Sequence, residues 1–431
     1  MIRMAMVEPR AIEGIRALFQ ERPETVGPLS WIGAAAALVA GTAASLLRQR
    51  PVPAWDTVWA EDAAILLSDA VNLRFLDALR TPVAGYFLTL PRVLAEPLAW
   101  LPADWAAAAI AFEAALMTSL LALFVYAASG AHLRHPLARI AAAAVCVVTP
   151  VGAGDVPNAL SNLHWAGAYA TAWALLYVPS TRTGALVGAA LALAMAATNV
   201  VLVALLPLAL VRFAWGPRGR GRLVCGALAL GLLAQLGGAL TGAAATRSIP
   251  TRPDPVGAFT DFFARTVPRS LLGERLAGPD VAPFALALAW AILLAVCGLA
   301  VRYARPDLPL ASLLAGQAFV FWMVAAGATG LRPGRYEATV CMFLTAALAA
   351  LAQPVDGEGG TRPLVTLAVA LAVVWMVSYG MPTVRGLGPR WSSGLQQARS
   401  RCGSAGRAQV EVAVAPRDGG WSARLPCDYV R

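Results

Sequence analysis

Three short polar runs interrupt an otherwise apolar chain, and each carries residue types able to do chemistry. Trp59, Ala60, Glu61 and Asp62 set two carboxylates beside tryptophans at 55 and 59. A carboxylate within hydrogen-bond reach of a hydroxyl can take its proton as that hydroxyl attacks an electrophile. Neighbours on a helix diverge by about 100°, so one of Asp62 and Glu61 is the working acid and the other supports it. The plainer alternative is an acidic helix start beside an interfacial aromatic belt.

The second run reads Asp155, Val156, Pro157, Asn158, then Asn162, Leu163, His164 and Trp165. Asp155 and His164 together can orient a sugar hydroxyl, share a divalent cation or tune a carboxylate. They fall short of a closed zinc site, so a divalent cation on this pair is the only cofactor suggested. As turn chemistry, Asn and Asp beside Pro are ordinary, and Asn162 is placed to cap the next helix. The third run holds Arg332, Arg335 and Tyr336, preceded by a loop carrying Arg247, Arg252, Arg265, Arg269 and Arg275. Some of these arginines are simply solvated, yet as a group their forked donors suit a phosphate. Glu113 stands apart inside an apolar stretch, about 14 Å of helix from its end. An intramembrane acid is costly and a functional candidate, here the proton site of a transporter. No broken-helix pair, clear internal repeat or second unpaired intramembrane acid accompanies it.

The elements that position these residues are apolar helices. Of 431 residues, 58% are hydrophobic and 13% charged, and the mean hydropathy of +0.64 excludes an ordinary soluble domain. All 34 basic residues are arginines, the mark of a high-GC genome of actinobacterial type. The net charge of +10 is spread through loops without a basic stripe, which argues against nucleic acid and for anionic lipid or lipid-linked phosphate as partner. Apolar blocks at 28–47, 104–129, 137–151, 165–179, 183–198, 199–213, 223–240, 283–301, 308–327, 336–352 and 364–382 predict an all-α bundle of about eleven transmembrane spans. The fifth and sixth meet at Thr198 and Asn199, as a tight hairpin or one long tilted helix; the topology requires the hairpin.

Arginine clusters at 134/139, 212/218/220/222 and 302/305 fall on one side, the cytoplasmic side by the positive-inside rule. Residues 1–27 are then a cytoplasmic segment, 28–382 the membrane domain of a plasma-membrane protein, and 383–431 an outer cap. In the first outer loop, Ala64, Leu67, Val71, Phe75 and Ala78 form an apolar face with Asp62, Asp69, Asp77 and Arg80 opposite, as in a helix lying along the membrane interface. Residues 85–102 read as a second interfacial or re-entrant segment. In the tail, Gln409 to Val414 alternates like a strand and Trp421 to Leu425 suggests another. Cys402 and Cys427 flank this module, and two cysteines in a small extracytoplasmic unit commonly form a disulfide. Cys146, Cys225, Cys297 and Cys341 lie in apolar spans as small buried hydrophobes.

The WAED stretch (Trp59 to Asp62) in a long first outer loop, the NLHW stretch (Asn162 to Trp165) preceded by Asp155, and the GRYE stretch (Gly334 to Glu337) together resemble the GT-C superfamily of polytopic glycosyltransferases, in particular actinobacterial members. The resemblance implies transfer of a hexose or pentose from a polyprenyl-phosphate donor to a cell-envelope acceptor on the outer face. It places the catalytic acid in the first loop, at Asp62 or Glu61, and the substrate and phosphate contacts at the second and third runs. Two other readings stand beside it: a transporter or flippase for lipid-linked glycans centred on Glu113, and a noncatalytic scaffold of envelope assembly.

Overall fold

A computed structural model describes residues 13–20, 30–217, 219–240, 252–278, 281–304, 306–353, 361–405 and 408–431. Most of the segment 1–27, with Arg218, Arg247 and Arg305, lies outside the described residues. The structure is about 75% helical, with 18 α-helices and a two-stranded sheet near the C-terminus among the described residues. Each of the eleven apolar blocks contains a helix. Among the described residues, five stretches are long and apolar enough to cross a membrane: Ala103–Ala131, Arg220–Gly238, Pro283–Ala300, Leu308–Gly327 and Arg362–Tyr379. Trp31–Leu47, Pro136–Val148, Arg182–Ala196 and Val200–Trp215 are shorter apolar helices.

Helix Leu163–Leu176 occupies the centre, with all its residues buried. Its Ala and Gly positions allow close approach: a side chain at Gly167 would collide with the sulfur of Met195. Helix Gly334–Leu351 lies beside it and is buried along nearly its whole length. Around this pair, Arg182–Ala196 packs on Arg220–Leu240, Leu308–Trp322 on Gly334–Leu351, and Ala103–Ala128 on both Trp31–Leu47 and Pro136–Val148.

Helix ends collect at two opposite faces. At one, Thr89 donates to the carbonyl of Ala197 (2.7 Å), Glu274 N to Pro150 O (3.1 Å), Asp254 N to Gly327 O (2.9 Å) and Thr383 N to Arg50 O (3.2 Å). At the other, Arg134 N donates to Gln353 Oε1 (3.3 Å), Asp307 N to Ala350 O (3.0 Å) and Arg220 to Ser180 O (2.6 Å). The chain breaks at Thr198, where Asn199 caps the next helix by accepting from Val201 N at 2.9 Å.

The first loop departs from the expected amphipathic helix. Asp62–Leu67 is a π-helical turn, Ser68–Asn72 and Phe75–Arg80 are separate helices, and the chain turns between them at the exposed Leu73 and Arg74. The wider π-turn rotates side chains off the 3.6-residue pattern, so Asp62 faces inward rather than onto a polar outer face. Segment 85–102 holds helix Thr89–Ala95 and the 3₁₀ turn Glu96–Trp100, with Trp100 and Leu101 exposed at its end.

The tail forms a helix, Trp391–Ala405, and an antiparallel pair, β1 (Gln409–Ala413) and β2 (Ser422–Pro426). Its alternating burial follows from strand geometry: Val410 and Val412 point inward while Gln409 and Glu411 stay outside. Cys402 and Cys427 are joined, Cα atoms 5.6 Å apart. The tail is no detached unit, for Leu395, Ala398, Val410 and Leu425 share one core with Leu66, Leu67 and Leu98 of the first loop. Trp391 Nε1 donates to Ala103 O (2.8 Å), and Arg399 forks onto Asp104 (2.6 and 3.1 Å).

Candidate functional site

Glu61 and Asp62, adjacent in sequence, have opposite environments. Asp62 is 0% exposed. Its Oδ1 accepts from Ser161 N (2.8 Å) and its Oδ2 from Leu160 N (3.0 Å), so the carboxylate clamps the first loop to the second. Beside it Arg385, 1% exposed, donates to Thr57 O (2.9 Å), to the Thr57 hydroxyl (3.3 Å) and to Asn158 O. Burial pushes the Asp62 carboxyl above the usual range, with Arg385 and the Ser161 and Leu160 hydrogen bonds opposing the shift.

Glu61, at the start of the π-turn, keeps Oε2 buried without any hydrogen-bond partner. Burial raises its pKa, opposed first by its own backbone N–H and then by the charge of Arg335. Arg335 comes from the first turn of Gly334–Leu351 and pairs with Asp155 at 3.0 Å. The Asp155 carboxyl is itself raised by burial, against the pull of Arg335. Arg335 lies 6.0 Å from the Tyr336 ring centre, Tyr336 is 5.1 Å from Trp165, and Trp165 is 4.3 Å from His164. His164 is 3% exposed, and both of its ring nitrogens are buried without a partner. Three loops distant in sequence thus bring Glu61, Asp155, His164, Trp165, Arg335 and Tyr336 together.

Tyr86 joins this group although nothing in the sequence singled it out. It follows a tight Val83–Tyr86 turn, with Ala84 and Gly85 at positive φ, that turns the chain back. Its phenol is pushed up to about 12 by burial, with Glu61, Arg335 and Tyr336 acting on it. A tyrosine directly after an Ala-Gly turn in an outer loop was the available signal. Arg385 was missed for a different reason: it reads as an ordinary linker charge.

Other expected site residues have structural duties. Asn158 adopts φ +59 and exchanges hydrogen bonds with Ser45, donating at 2.9 Å and accepting at 2.8 Å. Asn162 donates to Asp155 O (2.8 Å) and accepts from Trp165 Nε1 (3.0 Å), fixing the indole rather than capping the helix. Arg332 is matched by Asp254 at 2.5 Å and by Asp261. Glu337 of the GRYE stretch pairs with Arg265 (3.1 Å) and Arg269 (2.5 Å), and Glu274 accepts from Gly152 N at 2.7 Å. These contacts lock the 252–278 loop onto the site.

Among the described residues no group of three His, Cys, Asp or Glu could hold a metal ion. The divalent-cation pair Asp155 and His164 has no third ligand there, and the Asp155 carboxylate already faces Arg335. Glu113 lies within Ala103–Ala128, outside the converging group.

No family, no curated protein and no solved structure matches this chain.

Proposed function

We propose that this chain is a plasma-membrane glycosyltransferase of GT-C type, crossing the bilayer about eleven times with the candidate site and the tail outside. The alternation of helix ends between two faces supports the topology, and an outer tail suits the Cys402–Cys427 pair. It transfers a hexose or pentose from a polyprenyl-phosphate donor to a cell-envelope acceptor by a single inverting displacement. The carrying observation is the unpartnered Oε2 of Glu61 beside Arg335 and the unpartnered ring of His164.

Glu61, not Asp62, is the base in this reading. Both Asp62 oxygens are already held by backbone N–H groups, whereas Glu61 has an acceptor to spare. Glu61 takes the acceptor hydroxyl's proton as the new C–O bond forms at the anomeric carbon. The bond from that carbon to the phosphate oxygen breaks, and its electron pair leaves with the polyprenyl phosphate. Arg335, 27% exposed at its side chain, has N–H donors beyond the one given to Asp155 and directs them at the phosphate, where negative charge develops. Asp155 holds Arg335 in place, and Tyr86, His164 and Trp165 line the sugar. Release of polyprenyl phosphate by purified protein, compared with Glu61→Gln and Asp62→Asn, tests the assignment.

Glu113 favours the transporter reading, since it has no hydrogen bond or ion pair among the described residues. Loss of glycan translocation in Glu113→Gln, with Glu61→Gln unaffected, would select it.

A further inference from the structure

On the face opposite the candidate site lies a cavity of about 680 Å³. Arg16, Arg212 and Arg220 line it, with Phe19, Trp215 and Gly221, and no acidic side chain is among the described residues that line it. Arg212 is held as a built group. It is 2% exposed, its guanidinium carbon lies 4.7 Å from the centre of the Phe19 ring, and Nη2 donates to Tyr177 O at 3.3 Å. On its other side is Gly221, where a side chain would come within 2.1 Å of Nη2. Nη1 is buried without a partner. Arg220, anchored to Ser180 O, opens the 21-residue helix Arg220–Leu240, whose first turn carries no acid.

None of Arg16, Arg212 and Arg220 forms an ion pair with a carboxylate among the described residues. A buried guanidinium with an idle donor and no counter-charge is costly, so an anion is needed to complete it. The free N–H groups and dipole of a helix start add to the attraction for a phosphate. The cavity exceeds the size of a bare phosphate and leaves room for the group that carries it.

We propose that this cavity is a phosphate-binding site, with Arg212 as its fixed anchor and Arg16 and Arg220 closing on the ligand from the rim. The phosphate arrives either on an anionic phospholipid or on a water-soluble compound, and Arg212 grips both alike through a planar fork. This site is separate from the glycosyltransferase reading and survives its failure.

The test uses the purified full chain in neutral detergent, with adducts counted by native mass spectrometry and melting followed by fluorescence. The probes are phosphatidylglycerol, phosphatidylcholine and inorganic phosphate. Retention of phosphatidylglycerol over phosphatidylcholine identifies the lipid source; stabilisation by millimolar inorganic phosphate identifies the soluble one. In either case Arg16→Gln and Arg220→Gln, both at exposed positions, weaken binding about tenfold each, the size of one charge-assisted contact. Arg222→Gln removes the same charge from the same helix turn outside the cavity lining and leaves binding unchanged. Absence of binding by all three probes overturns the proposal, as does an equal loss in Arg222→Gln, which would show diffuse charge attraction.

Discussion

The two faces of this bundle carry the same basic residue and use it in opposite ways. At the candidate site four arginines are paired with carboxylates: Arg335 with Asp155, Arg332 with Asp254 and Asp261, and Arg265 and Arg269 with Glu337. On the opposite face Arg16, Arg212 and Arg220 meet no carboxylate among the described residues. Matched pairs fix geometry at little net charge, which suits a site where reacting groups must be pre-positioned. Unmatched arginines leave an electrostatic vacancy that attracts an anion. The same contrast recurs between neighbours, since Asp62 spends both oxygens on structure while Glu61 keeps one idle.

The largest expected effect breaks that second contrast. Glu61→Gln lowers glycosyl transfer by about 10²-fold or more, as expected for removal of a positioned base. Asp62→Asn instead lowers stability, because an amide cannot accept from both Leu160 N and Ser161 N, and an orphaned buried N–H costs about 1–3 kcal/mol. Thermal unfolding beside turnover separates the two.

Next in size is Arg335→Lys, which keeps the charge but loses the planar fork that pairs with Asp155 and that the proposed reaction turns on the donor phosphate. Turnover is expected to fall about tenfold. Free replacement by lysine would show that only charge matters there.

Reduction of the Cys402–Cys427 bridge, or Cys402→Ser, is expected to destabilise the tail by about 3 kcal/mol through restored chain freedom. Because the tail shares its core with the first loop, hydrogen exchange should rise at Leu66 and Leu67 as well as in β1 and β2. Exchange confined to the tail would show two independent units.

The smallest effect is on pH dependence. The Glu61 pKa is raised, so the protonated form persists above the ordinary glutamate value of about 4.3. Its stabilising contribution is full below that value and is lost as pH rises through the folded pKa, while base catalysis gains over the same interval. Activity should therefore have an acid limb above pH ~4.3 that Glu61→Gln removes.

Local pattern carried the helices, because apolar length is written in contiguous residues, and it carried β1 and β2 through alternation. It also pointed to Glu61, Asp155, His164, Trp165, Arg335 and Tyr336, whose polarity stands out against apolar neighbours. It gave no sign of how Asp62 is held, since the amides that bury it lie near residue 160 and a π-turn breaks the helical period. Asn158 offers no local sign that its partner is Ser45. Arg385 and Arg212 look like any loop arginine until the fold buries them, and Tyr86 acquires its role only from the turn that folds the first loop back.

The central claim is tested most directly by incubating polyprenyl-phosphate-linked hexoses and pentoses with membrane extract as acceptor source, and measuring polyprenyl phosphate release by the purified parent, Glu61→Gln and Asp62→Asn proteins at equal folded concentration. Release by the parent is expected, with loss of about 10²-fold in Glu61→Gln and a per-folded-molecule rate in Asp62→Asn close to the parent's. Full activity in Glu61→Gln with loss in Asp62→Asn would contradict the assignment of the base, and no release by the parent from any donor would contradict the enzyme itself.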